Sequence, residues 1–336
     1  IGVIRVPSFY LDFAARNRGE EDYTSTTRDV ARLVGELEAE GIDGLVLDLR
    51  QNGGGHLSEA TELSGLFIER GPIVQLRETR GNIQVLNDSS PGVAYDGPLA
   101  VLVDRYSASA SEIFAAAIQD YERGIVIGQR TFGKGSVQNL FNLDRFMRAP
   151  GYGQLTLTIG KYYRVTGGST QHRGVVPDIE LPSLVDTDTV GESTRDTALP
   201  WDQIEPTRFR AETSLDSAIQ LLQARHQERA ATDPDYNFLI EDVSAYGELR
   251  DRETVSLNLI ERQAERDSML QQQLARENER RAALDLEPLA SIDEFEAAEA
   301  TDILLDQATQ VVADMAALEK TPEGRELVST SATAGD

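Results

Sequence analysis

The chain has 336 residues, with 32 lysines plus arginines against 57 aspartates plus glutamates and a net charge of −25. That balance excludes unaided binding to nucleic acid or to an anionic membrane, and reads as solubility or adaptation to salt. Cysteine is absent, which excludes disulfides, thiol catalysis and cysteine-rich metal sites but leaves the redox compartment open. The length allows two domains, and the 40 % hydrophobic content supplies at least one sizeable core. No run of about 18 apolar residues occurs, so no membrane span is expected. Without an initiator methionine the chain reads as a fragment, and a signal peptide could precede Ile1.

From Ile1 to about Pro182, short β-rich runs alternate with amphipathic stretches, the pattern of an α/β layer architecture. Strands are expected over Gly2 to Val6, Gly44 to Leu49, Ile73 to Arg77, Leu99 to Asp104, Ile125 to Gly128 and Leu155 to Tyr163. Between the first two, Val30, Leu33, Val34 and Leu37 recur at helical spacing, and Gly41 can end that helix. A second helix over Ala110 to Tyr121 presents Ile113, Phe114, Ala117, Ile118 and Tyr121 to the sheet, which fixes its first residues in space. The polar stretch after Pro182 reads as a linker or surface loop, set at 183–200. Residues 201–336 then look helical, with runs over Leu215 to Arg229, Glu253 to Leu284 and Ile292 to Leu318. The charge of Leu259 to Leu284 predicts a solvated helix or helical arm.

Lys134, Lys161 and Lys320 are the only lysines, and the first stands between Gly133 and Gly135. Lysine can lose its proton and act as a base, whereas arginine cannot. Upstream, Ser109 precedes a helix in the run Ser107-Ala108-Ser109-Ala110-Ser111-Glu112. The spacing Ser109-x-x-Glu112 also fits a capping box, so a plain helix cap competes with a nucleophile. Unpaired N–H groups at a helix start, such as that of Ala110, suit an oxyanion. A neutral Lys134 would need burial in an apolar setting, which the loop Thr131 to Gly135 could provide, and Gln138 could orient its amine. The triple glycine Gly53-Gly54-Gly55 lets backbone approach a ligand but lacks any nucleotide-binding signature. Asp120 lies too far along the helix to touch Ser109 and reads as a supporting residue. His56, His172 and His226 lack metal-ligand spacing; His56 might line the cleft, and His226 is expected to face solvent.

Taken in order, Leu47-Asp48-Leu49-Arg50-Gln51-Asn52-Gly53-Gly54-Gly55, Asp104 to Ile113, Thr131-Phe132-Gly133-Lys134-Gly135-Ser136-Val137-Gln138, and Gly174-Val175-Val176-Pro177-Asp178-Ile179 resemble the carboxyl-terminal processing peptidases, most of all their tail-specific branch. Ala198-Leu199-Pro200-Trp201-Asp202 and Val255-Ser256-Leu257-Asn258 extend the resemblance into the second half. It implies a crotonase/ClpP-like α/β serine protease core over 1–182, followed by a mainly helical C-terminal domain over 201–336. Ser109 is then the nucleophile, Lys134 the base, and Gln138 and Asp120 the matching glutamine and aspartate. The amides of Ala110 and Gly55 form the oxyanion hole, with Gly54 as the alternative to Gly55. Asn52-Gly53-Gly54 departs from the Asn-Pro-Gly of many relatives.

The resemblance further implies a periplasmic serine endopeptidase that works through an acyl-enzyme, with no cofactor and no metal. Its partners are protein or peptide substrates with accessible, rather apolar C-termini. It also implies an upstream PDZ domain outside this chain and allows an adaptor protein as a further partner. Two rivals are a binding scaffold that keeps the protease fold and a crotonase-type acyl-CoA enzyme. The second leaves the spacing of Ser109, Lys134 and Gln138 unexplained.

Overall fold

A computed structural model describes residues 1–88, 91–146, 151–211 and 214–329. The expected helical run over 201–336 therefore includes residues outside the described set. The chain divides into two compact units, one of Ile1–Leu181, Val185–Leu222 and Ala308–Asp336, the other of Pro182–Leu184 and Gln223–Gln307. Segments read from the sequence as part of a separate helical domain, 201–222 and 308–329, thus belong to the first unit. Among the described residues no helix is long and apolar enough to cross a membrane.

The first unit is built on β1 (Gly2–Arg5), β2 (Leu45–Asp48), β3 (Gly71–Glu78), β4 (Ile83–Asp88), β5 (Leu99–Val103), β6 (Ile125–Gly128), β7 (Ser136–Asn142), β8 (Gln154–Tyr163) and β9 (Ile179–Glu180). One sheet is parallel, in the order β1-β2-β5-β6-β9; the other is antiparallel, in the order β4-β3-β8-β7. Every residue of β2, β5 and β6 is buried, as continuous apolar runs require when both faces of a parallel sheet are covered. The helices of this part are α1 (Phe13–Asn17), α2 (Thr26–Ala39), α3 (Leu57–Ser64) and α4 (Ala110–Asp120). α4 is buried from Ala110 to Ile118, and the small side chains of Ala115, Ala116 and Ala117 allow that close packing. Phe114, fully buried, meets Phe9 and Phe67 with ring centroids 6.5 Å and 5.9 Å away.

The strand order brings the sequence motifs together. β2, β5 and β6 are neighbours and all parallel, so the segments leaving their carboxyl ends emerge side by side, where open α/β sheets gather ligands. Those segments are the glycine loop after Leu49, the serine loop after Val103 and the lysine loop after Gly128. The lysine loop then crosses into β7 of the antiparallel sheet, so the motifs meet where the two sheets adjoin.

The remaining helices are α5 (Asp216–Ala230), α6 (Pro234–Arg250), α7 (Leu259–Ala283), α8 (Ile292–Ala297), α9 (Ile303–Glu319) and α10 (Pro322–Ser329). In the second unit α7 is not wholly solvated. Its Arg276 and Arg280 pair with Asp242 and Asp235 of α6, and Leu274 is buried. His226 is also buried, against the expectation of solvent, and meets the ring of Tyr236 edge-on; burial lowers its pKa. From Val185 on, the polar segment after Pro182 belongs to the first unit. Buried Arg105 donates to the carbonyls of Val190 and Thr187, and the Glu192 N–H donates to Phe132 O, which draws much of this segment onto the lysine loop.

Phe114→Ala should lower the stability of the first unit by about 3–5 kcal/mol through lost burial and a cavity. The single tryptophan, Trp201, lies in that unit and donates its indole N–H to Ser169 O, so its fluorescence during urea unfolding reads the loss directly.

Candidate active site

The glycine loop is held by one asparagine. Asn52 is fully buried; its side chain donates to Val6 O at 2.8 Å and accepts from Gly54 N–H at 2.9 Å, while its carbonyl accepts from Ala108 N–H and the Ser111 hydroxyl. Asp104 reinforces the arrangement by accepting from the N–H groups of Gln51, Tyr106 and Ser107. The two candidate glycines then differ in kind. A Cβ on Gly54 would lie 2.7 Å from Ala108 O and 2.8 Å from Ser109 Cβ, so only glycine lets the loops touch, but its N–H is already used by Asn52. The chain bridges Phe9 through Gly54 O and His56 N–H. Gly55 N–H, like Ala110 N–H at the start of α4, has no partner among the described residues.

Ser109 occupies the N-cap of α4 with φ 59° and ψ −111°. An ordinary N-cap residue is extended, so this serine is more than a routine cap. Positive φ on a non-glycine residue is costly and persists only where surrounding contacts enforce it. Here Glu112 supplies that force by accepting from Ser109 N–H at 2.8 Å.

Glu112 also binds the lysine loop. Its carboxylate, with no exposed surface, accepts from the Thr131 hydroxyl at 2.6 Å, Gly133 N–H at 2.7 Å and Lys134 N–H at 2.9 Å. The Ser109 and Lys134 amides share one oxygen, Oε2, so their nitrogens lie within about 6 Å of each other. Burial pushes the carboxyl up to about 7, and the four donors pull the other way by favouring the ionised form. Thr131 is fixed in turn, since its hydroxyl oxygen accepts from Val175 N–H. Fully buried Tyr162 on β8 reaches the carbonyls of both Lys134 and Ser109.

Lys134 is half-buried rather than enclosed, and its amine donates to Gln138 Oε1 at 3.3 Å from the start of β7. Asp120 is placed elsewhere. At the far end of α4 it receives the Arg164 guanidinium on both oxygens, at 2.6 Å and 3.0 Å, and burial raises its pKa against that pairing. The ring of His56 stacks on Phe13, and His172 donates its backbone N–H to Gly133 O beneath the lysine loop. No cluster of metal-ligating side chains occurs among the described residues. Thus Ser109, Ala110, Gly55, Lys134 and Gln138 belong to one neighbourhood, and Asp120 lies apart from it, paired with Arg164. Asn52, Arg105 and Glu112 stood in the sequence only as members of the motifs, Glu112 also as a helix cap, and none was singled out for a role in the site. Tyr162 carried no local signal.

The family model for peptidase family S41 matches residues 1–181, and that for the C-terminal domain of tail specific protease matches residues 185–317. The tail-specific protease of Haemophilus influenzae is 42 % identical over 324 residues, covering 94 % of this chain and 44 % of that protein. The carboxy-terminal processing protease CtpA of Bacillus subtilis is 33 % identical over 53 % of this chain and 38 % of its own length. A solved photosystem II D1 C-terminal processing protease is 31 % identical, with a TM-score of 0.44 over 55 % of this chain and 44 % of its own. The chain therefore spans less than half the length of these relatives. With a family model covering more than half of its residues, the chain belongs to peptidase family S41.

Proposed function

We propose that this chain carries the catalytic core of a tail-specific serine endopeptidase working through Ser109 and Lys134. One observation carries the reading: a single buried carboxylate, Glu112, holds the backbone of the strained serine and that of the lysine, beside two partnerless amides. In the reaction Ser109 Oγ attacks the scissile carbonyl carbon while Lys134 Nζ accepts the hydroxyl proton. The carbonyl oxygen becomes an oxyanion, held by the N–H groups of Ala110 and Gly55. Gly54 is the poorer candidate because Asn52 already takes its N–H. The tetrahedral species collapses, the C–N bond breaks, and Lys134 returns the proton to the departing amine. Water then attacks the acyl carbon, losing its proton to Lys134; the ester bond to Ser109 Oγ breaks, Lys134 returns that proton to Oγ, and the carboxylic acid leaves. Gln138 orients the amine through its side-chain carbonyl. No step calls on a metal or cofactor.

The relatives' names support substrates that are proteins entered from their C-terminal tails. An extracytoplasmic, periplasmic setting follows from the same resemblance. Recognition of the tail by a PDZ domain elsewhere in the full-length protein completes the reading.

In the full-length enzyme, Ser109→Ala and Lys134→Ala should each lower cleavage of a tail-bearing protein by at least about 10³-fold, with urea midpoints close to wild type. A serine-directed fluorophosphonate should add its mass to the peptide containing Ser109, and wild-type turnover by either variant would remove the dyad. Asp120→Ala should act differently. It leaves Arg164 with an unmatched charge and should cost about 3–5 kcal/mol of stability, seen in Trp201 fluorescence, with turnover per folded molecule largely kept.

A further inference from the structure

The Tyr162 hydroxyl takes no part in the chemical steps above, yet it lies in the wall behind the proposed dyad. It hydrogen-bonds to Lys134 O and reaches Ser109 O at 3.2 Å. Glu112 grips the amide nitrogens of the same two residues. Nucleophile and base, far apart in sequence, are therefore each held at both N–H and C=O by just two side chains. Resting on the assignment of Ser109 and Lys134, we propose that Tyr162 is a positioning residue: its hydroxyl and the Glu112 carboxylate form a two-sided clamp that sets the spacing of nucleophile and base.

The two carbonyls do not depend on Tyr162 equally. Ser109 O also accepts from Ile113 N–H, as the first turn of α4 requires. Lys134 O has no second donor among the described residues, so loss of the hydroxyl loosens the lysine side. The clamp has a firm base, because the Tyr162 ring belongs to the main core cluster and its own N–H donates to Gly135 O at 2.9 Å. Burial, assisted by the nearby Glu112 charge, raises the pKa of the phenol well above its ordinary value, so the donor stays protonated. Phenylalanine would keep the ring and its packing while removing only the donor. The two roles can therefore be separated.

The test compares Tyr162→Phe with wild type in the full-length enzyme, using a tail-bearing peptide and a fluorophosphonate probe. The clamp predicts a fall in kcat on the order of 10- to 100-fold, KM within about twofold, and a parallel slowing of Ser109 labelling that still goes to completion. Combined with Glu112→Gln, the loss should be smaller than the product of the single losses, because both act on one spacing. Placing 3-fluorotyrosine at position 162, which keeps a hydroxyl, should restore kcat to within about threefold. Wild-type kcat in Tyr162→Phe would overturn the proposal, as would equal losses in the phenylalanine and fluorotyrosine variants. A drop in the labelled fraction matching the drop in turnover would also overturn it, since the hydroxyl would then merely hold the fold. Failure of the dyad is distinguishable: Ser109→Ala or Lys134→Ala would then keep cleaving, whereas the clamp fails alone if both are dead and Tyr162→Phe is unimpaired.

Discussion

The carboxylate of Glu112 is the constraint on which the site depends. A glutamate at the third position of a helix ordinarily reaches back to the N–H of its own cap and stops there. Here one oxygen does that and continues to Lys134 N–H, while the other takes Gly133 N–H and the Thr131 hydroxyl. An ionised carboxylate without water is costly unless it is densely hydrogen-bonded. Four donors, together with its place near the positive end of α4, supply that compensation. The requirement runs in both directions: the buried carboxyl oxygens need those donors, so the serine turn and the lysine loop are obliged to stand where they can reach them.

Much of the parallel sheet was legible because β2, β5 and β6 are buried on both faces and appear as uninterrupted apolar runs. What the pattern did not contain was their adjacency. That order alone makes neighbours of the glycine, serine and lysine loops. β4 and β7 escaped notice for the opposite reason: both are edge strands largely open to solvent, so neither alternation nor a continuous apolar run marks them. Helix α6 falls inside the region read as helical, but its bounds were not marked although Asp233-Pro234 is a strong start signal; it buries no residue fully, and its apolar side chains form no stripe.

The polar segment after Pro182 shows what composition leaves open. Its lack of periodicity suggested a linker or surface loop, and buried Arg105 needs acceptors, which main-chain carbonyls of a polar loop provide without requiring any apolar side chain. The same guanidinium reaches Thr131 O. The segment, the lysine loop and the serine loop are thereby joined through one cation, a connection that only long-range geometry reveals.

The glycine loop was ambiguous for a related reason, since three identical residues cannot be ranked by type. The distinction lies in where each N–H is directed. Asn52 takes that of Gly54, while the bridge to Phe9 uses Gly54 O and His56 N–H and passes over Gly55. Glu112 and Tyr162 restrain Ser109 and Lys134 through main-chain atoms: the amides of Ser109 and Lys134, and the carbonyls of the same two residues. Had the proposed nucleophile and base been fixed by strong bonds to their reacting atoms, the reaction would first have to break them. Because Glu112 and Tyr162 hold backbone atoms, the proposed proton transfer from the Ser109 hydroxyl to the Lys134 amine would leave those bonds in place.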